Sequence, residues 1–220
     1  MAKKKAVKKT NDGSRELIIS PPNFEIVEFH IRGTSPYMQN KFSEKAKAVI
    51  RETQEAGSTS RKGRKRERKD FQESCEGATY RTQAGWMGIP ATSFRNAMIS
   101  ACKIVGFQMT RAKLSVFVLQ DGEDASSGTP LVRITKGQPT MSVEPVRVGM
   151  GTCDLRARPQ WSTAWEAKVR VQFDADQFTV SDVANLLVRA GLQVGVGEGR
   201  PDSKASNGIN RGTFEVLNKP

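Results

Sequence analysis

Residues 165–173, WEAKVRVQF, show the cleanest alternation in the chain. Trp165, Ala167, Val169, Val171 and Phe173 fall on one side, and Glu166, Lys168, Arg170 and Gln172 on the other. A period of two with a single apolar face predicts a strand in an antiparallel sheet that helices cover on one side only. SDVANLLVRAG follows with a period near 3.6. Its spacing predicts a helix capped by Ser181, stopped by Gly191, and turned inward at Val183, Leu186, Leu187 and Ala190. TFEVL (213–217) reads as the last strand.

Upstream, PPNFEIVEFHIRG opens the fold, with Phe24, Ile26, Val27, Phe29 and Ile31 strand-like. The alternation slips between Ile26 and Val27, which predicts a bulge or a strand covered on both faces. Residues 41–55 suit a helix with Phe42, Ala46, Val49 and Ile50 inward. After Pro90, a Thr92/Ser93 cap is expected to start a helix with Phe94, Ala97, Met98, Ala101, Cys102 and Val105 on its apolar face. KLSVFVLQ (113–120) is apolar on both faces and reads as a central strand. Residues 121–130 read as a turn-rich loop, 131–148 as a hairpin-like excursion broken by Gly137, Pro139 and Pro145, and 149–160 as irregular and basic. The strong elements run strand, helix, strand, strand, helix, strand. That is the α+β, ferredoxin-like or RRM-like βαββαβ core, with an antiparallel sheet and long insertions at about 56–85 and 121–160. Residues 1–15 read as a basic disordered arm, and 16–220 as one domain. Within the first insertion, 56–80 is expected to be mobile unless a partner orders it.

Composition narrows the function classes. The chain has 220 residues and a mean hydropathy of −0.51, enough for a real core and too patterned for a disordered chain. No apolar run approaches the length of a bilayer span, and MAKKKAVKKT lacks the hydrophobic stretch of a signal peptide. Cys75, Cys102 and Cys153 are odd in number and widely spaced beside a single histidine, which argues against a disulfide framework or zinc site and for a reducing cytoplasm.

The distribution of charge says more than its sum of +12. Residues 1–10 carry five Lys and no acid, and RKGRKRERKD (61–70) carries seven basic and two acidic residues. The rest is nearly neutral. Solvated tails would account for such runs, but charge concentrated this way marks a polyanion partner, because Lys and Arg on flexible segments release counterions from phosphates. Neither run interleaves Trp, Phe or Leu, so nucleic acid is preferred to a membrane surface.

The glycine-rich stretch 191–212 follows a helix and precedes a strand, and it lacks GK[ST]. It is therefore neither a dinucleotide fingerprint nor a P-loop. Gly195, Gly197 and Gly199 could aim successive N–H groups into a concave nest, with Arg200, Lys204 and Arg211 adding charge. His30 lacks metal partners and suits packing or surface. Asp121, Glu123 and Asp124 suit a turn better than a metal or water site. Ser93 has no His base and suits a cap, and Cys102 suits the core. Trp161 and Trp165 read as core, although an exposed Trp161 beside Arg156 and Arg158 could stack a base. No catalytic constellation emerges, and no cofactor is implied.

Three stretches together resemble the RAMP superfamily, the repeat-associated RNA-binding proteins that include backbone subunits of CRISPR effector complexes. GIPATSFRNAMISACK (88–103) resembles that family's Ile-Pro-Gly-Ser-Ser-Leu-Arg-Gly helix start. GVGEGRP and NRGTFEV resemble its C-terminal glycine-rich loop and final strand, and FHIRGTSPYMQNKF its first strand and turn. RARPQWSTAW with VGVGEGRP looks most like small bacteriophage proteins with a related core. The resemblance implies a ferredoxin-like palm that polymerises side by side along a single-stranded nucleic acid, RNA or DNA, held mainly by its backbone. Ser93, Arg95, Gly197 and Arg200 would then lie near the strand, 61–70 would form a finger, and 121–160 a thumb carrying Arg156 and Arg158. Candidate contacts are thus Lys41, Arg61, Lys62, Arg64, Lys65, Arg66, Arg68, Lys69, Ser93, Arg95, Arg156, Arg158, Gly197, Arg200, Lys204 and Arg211. The expected function is non-catalytic binding in a filament or multi-subunit complex. The alternatives are a phage mimic of a CRISPR backbone subunit that blocks host defence by binding protein, and an RNA-cleaving superfamily member using Asp121 or Asp124.

Overall fold

The computed structural model describes residues 8–9, 15–16, 20–42, 44–55, 69–149, 152–204 and 209–218. In chain order its strands are β1 (Lys8–Lys9), β2 (Arg15–Glu16), β3 (Phe24–Gly33), β4 (Tyr37–Met38), β5 (Gly88–Pro90) and β6 (Val116–Leu119). Then come β7 (Gly122–Glu123), β8 (Pro130–Lys136), β9 (Pro139–Gly149), β10 (Thr152–Trp161), β11 (Glu166–Asp174) and β12 (Phe214–Val216). The helices are α1 (Glu44–Glu55), α2 (Phe71–Gly77), α3 (Ala91–Ala101), α4 (Met109–Ser115) and α5 (Val180–Arg189), the last extended by a π-helical turn, Ala190–Val194.

β11 organises the sheet. Its four alternating apolar side chains, and Trp165 just before it, are all fully buried, as the period of two demands. It pairs antiparallel with β3 along its whole length and with β6 over Arg170–Phe173, while β12 pairs with the far edge of β3. The order β12-β3-β11-β6, with α3 and α5 crossing over between strands, is the α+β ferredoxin-like arrangement expected. The helices cover one face only. Phe94, Met98 and Ala101 of α3 and Val183, Leu186 and Leu187 of α5 enclose Phe29, Ile31, Val169 and Val171.

The other half of β11 pairs with β8, which also holds β5 and β7. The hairpin-like reading of 131–148 is corrected here: Pro130–Lys136 belongs to the main sheet. The hairpin is instead β9 and β10, paired from Gly149/Thr152 to Pro139/Trp161, so residues 152–160 are a strand and not irregular. This hairpin joins β4 in a separate three-stranded sheet. Aromatic rings weld the two sheets together: Tyr37 lies 5.4 Å from both Trp161 and Trp165, and Trp165 lies 6.2 Å from Phe214. Trp161 is fully buried, so it is core and offers no base-stacking surface.

Several local expectations change for identifiable reasons. β3 keeps a continuous register against β11 without a bulge; Val27 joins the core side while Phe24 and Ile26 stay exposed on the open face. Lys113–Ser115 ends α4, and β6 is a short edge strand rather than a central one. α3 starts at Ala91, directly after Pro90, whose fixed φ of −52° suits the position; neither Thr92 nor Ser93 caps it. It ends at Ala101, which leaves Val105 exposed. α5 is capped by Thr179, in a reciprocal capping box with Asp182, and not by Ser181. Gly191 does not stop it, because that glycine sits inside the π turn, where a Cβ would lie 2.2 Å from the Phe214 carbonyl oxygen. α1 forms, but Phe42, Val49 and Ile50 are exposed, since α3 holds the place over the sheet. Residues 69–80 are not a loose insertion: Asp70 caps α2 and Cys75 is buried. Lys8–Lys9 pairs with Arg15–Glu16 where a disordered arm was expected. Residues 56–68 and the remainder of that arm lie outside the described residues.

Candidate nucleic-acid interface

On α3, Ser93, Asn96 and Ser100 repeat at intervals of three and four and so share one stripe. Phe94, Met98 and Ala101 hold the opposite side in the core, which orients that stripe outward. Facing it is the glycine-rich loop, Val194 to Ser203. Between the two runs a cleft of about 470 Å³, with Tyr80 also in its lining. Ser93, Gly197 and Arg200, about a hundred residues apart in the chain, meet along it. Pro90 borders the same cleft, and no side chain caps the helix there. The positive end of α3 therefore adjoins the opening.

The loop is held by its own backbone. The N–H groups of Gly195, Val196 and Glu198 donate to the carbonyls of Ala190, Gly212 and Met38 at 2.8, 2.9 and 3.0 Å. Of the three glycines expected to form a nest, the Gly195 N–H is thus committed within the fold, as are its neighbours at Val196 and Glu198. Gly197 has another task. At φ +79° its Cα faces Tyr37 and Met38 so closely that a Cβ would lie 2.5 Å from both the Tyr37 ring and the Met38 carbonyl. The glycine lets the loop lie flat against β4, and this sets the cleft's width.

An ion network braces the same loop from behind. Arg211 grips Glu144 of β9 with both guanidinium nitrogens, at 2.9 and 2.5 Å. Arg158 of β10, only 3% exposed, sits 3.6 Å from Glu144 and donates to Glu198 in the loop. The Arg211 hydrogen bonds hold the Glu144 carboxyl below its ordinary range against the opposing effect of burial, with help from Ser142 and the Arg158 charge. Arg158 and Arg211 thus tie the hairpin to the glycine loop and are largely spent on that task. Arg158 Nε and Glu198 Oε2 are buried without a hydrogen-bond partner.

The other candidates lie elsewhere. Arg95 points away from the cleft: its Nε donates to the Val116 carbonyl at 3.0 Å, and its guanidinium stacks 5.0 Å from the Phe117 ring. The Lys41 ammonium is 2.6 Å from Asp124, with both side chains buried, which makes it a strut and not a phosphate ligand. Lys69 bonds both Asp154 carboxylate oxygens at 3.0 Å. Arg156 on β10 and Lys204 beyond the cleft are exposed. Arg61, Lys62, Arg64, Lys65, Arg66 and Arg68 lie outside the described residues.

The acids considered for a metal or water site are occupied. Asp121 accepts from the Arg133 N–H and from Arg170, each at 2.9 Å. Asp124 accepts from Lys41, Ser126, Ser127 and the Arg81 N–H. No group of His, Cys, Asp and Glu that could hold a metal is found among the described residues. His30 is half-buried on β3, and Cys102 is buried in the core.

Asn96, Ser100 and Tyr80 went unremarked in the sequence. The polar stripe Ser93-Asn96-Ser100 on an otherwise apolar helix was the signal available for two of them. Glu144 and Glu198 carried none, since their partners are remote in the chain.

No family model matches this chain, and no curated protein matches it. Among solved structures it is similar to a chain of the Type III-B Cmr-beta complex, whose cryo-EM structure was determined bound to cognate target RNA. The TM-score is 0.51 at 10% sequence identity, and the match covers 89% of this chain and 59% of that one. The present chain thus spans under two thirds of that neighbour. The likeness is one of fold, and it agrees with the ferredoxin-like α+β core expected from the order of elements. No helix among the described residues is long and apolar enough to cross a membrane.

Proposed function

We propose that this protein is a non-catalytic single-stranded nucleic-acid-binding subunit, seating its strand along the cleft between α3 and the glycine-rich loop. One observation carries the reading: Ser93 and the loop residues Gly197 and Arg200, remote from it in sequence, converge on one cleft beside the uncapped start of α3. A helix start and an arginine suit a phosphate. The six basic residues at 61–68 add the sequence-independent attraction that Lys and Arg exert on phosphates. The fold neighbour's complex is bound to RNA, which supports a nucleic-acid partner and partner subunits here too. Side-by-side assembly of copies along the strand, in a cytoplasm and with a phage-borne origin, completes the proposal.

Ultraviolet absorbance and size-exclusion of protein purified without nuclease test it. A large nucleic-acid-rich species that collapses in high salt or on nuclease treatment supports the proposal. A clean monomer that ignores added single-stranded oligonucleotides at low salt sinks it and turns the search to protein partners, as for a mimic of a backbone subunit.

A further inference from the structure

The cleft does not have the composition of a phosphate channel. Among the described residues Arg200 is the one cation that lines it, and its guanidinium already donates to the Gly197 carbonyl at 3.2 Å. Two carboxylates, Glu198 and Asp202, line the same space, and Glu198 is matched by Arg158 behind it. Formal charge along the walls therefore does not favour an anion deep inside. What else lines the cleft is hydrogen-bonding chemistry: the exposed Asn96 amide and the half-buried Ser93 and Ser100 hydroxyls on one wall, with the exposed Asp202 carboxylate on the other and apolar Ala97, Val194 and Val196 among them.

We propose that the α3–loop cleft takes a single unstacked nucleobase of the bound strand and reads its edge, preferring bases that carry an amino group over uracil or thymine. This rests on the nucleic-acid-binding reading above and adds a specificity to it. Carboxylate and amide oxygens accept from the amino groups of adenine, cytosine and guanine. Amide and hydroxyl groups pair with the adjoining ring nitrogens and carbonyls. Uracil and thymine offer no amino group, only an N3–H between two carbonyls, so an Asp202 carboxylate set to accept from the exocyclic amino position would meet a carbonyl oxygen there. A volume of about 470 Å³ falls in the range of small-ligand sites, large enough for a base to enter from a single strand. Phosphates on either side would remain outside, near the start of α3. The cleft then selects while contacts to the strand's backbone outside it hold.

Fluorescence-anisotropy titrations with single-stranded oligo-A, oligo-C and oligo-U at low and high salt test this. Oligo-A or oligo-C should bind about fivefold or more tightly than oligo-U, the discrimination of one hydrogen-bonded base edge. That ratio should persist in high salt while all affinities fall, because base contacts release no counterions. Asn96→Ala with Ser100→Ala should bring the ratio towards unity by weakening oligo-A and oligo-C binding more than oligo-U binding. Both substitutions put a good helix former on an outward stripe, and circular dichroism confirms the fold. Asp202→Asn, outside any helix, should reduce the ratio independently. Equal binding of all three oligonucleotides, or a ratio the variants do not move, overturns the base-reading inference while backbone binding stands. Failure to bind any of them overturns both.

Discussion

The Lys41 ammonium and the Asp124 carboxylate meet at 2.6 Å, with side chains 9% and 1% exposed. This pair joins the segment after β4 to the loop after β7, across 83 positions of chain. The Lys41 ammonium also lies over the Tyr80 ring at 5.6 Å, so the strut supports a residue of the cleft lining. Removing one member leaves the other charged and buried. Lys41→Ala should therefore cost roughly 3–5 kcal/mol of stability, read from urea unfolding midpoints. A loss under about 1 kcal/mol would show the pair to be as weak as a surface salt bridge.

The same carboxylate makes stability depend on pH. Burial alone would raise the Asp124 pKa, but hydrogen bonds from Lys41, the Ser127 side chain and backbone, and the Arg81 N–H outweigh it and hold the group well below its ordinary range. Glu144 and Asp182 are lowered as well. A carboxyl depressed in the folded state contributes stability above its unfolded pKa and loses it as pH falls through the folded one. The urea midpoint should be level from neutrality to about pH 5 and drop steeply below about pH 4. Asp124→Asn should flatten that drop, and an unchanged acid limb would refute the assignment.

Three glycines of the loop should tolerate substitution unequally. Gly212, at φ +67°, would place a Cβ 1.7 Å from the Val196 carbonyl oxygen, and Gly197 would meet Tyr37 and Met38 at 2.5 Å. Gly199 faces only the flexible Arg211 side chain at 3.2 Å. Gly212→Ala and Gly197→Ala should each lower the melting temperature and weaken oligonucleotide binding several-fold. Gly199→Ala, also at positive φ, should pay only the backbone cost of about 1–2 kcal/mol. Equal losses at all three sites would show that packing against β4 does not set the loop.

Arg200 and Arg95 separate the cleft from its surroundings. Arg200→Ala should weaken single-strand binding and lower the salt slope by about one unit, with stability within about 0.5 kcal/mol. Arg95→Ala should do the reverse: it orphans the Val116 carbonyl and costs about 1–3 kcal/mol, with binding unchanged. Paired titrations and melts of the two variants check this, and a binding loss for Arg95→Ala would restore it to the interface.

Where local pattern and global burial agree, the fold is legible in the sequence. Trp165 to Phe173 and the apolar stripe of α5 announce a one-faced sheet under helices, because a period of two or 3.6 is a local property that burial on one side enforces. The order of strong elements was likewise enough for the ferredoxin-like core. Ser93, Gly197 and Arg200 could be singled out from their motifs. Their meeting could not, since it depends on Gly197 lying against β4 and on how α3 rotates over the sheet. Charge was the poorest guide. Lys41, Arg95, Arg158 and Arg211 read as free cations, yet each is committed to an acceptor 18 to 83 positions away, and no local pattern encodes such a partner. The sequence by itself determines the strands and helices whose apolar period matches the buried face, as in β11, α3 and α5. Tertiary structure alone decides which polar groups are spent on one another and which still face the cleft, because that depends on segments brought together only by the packed core.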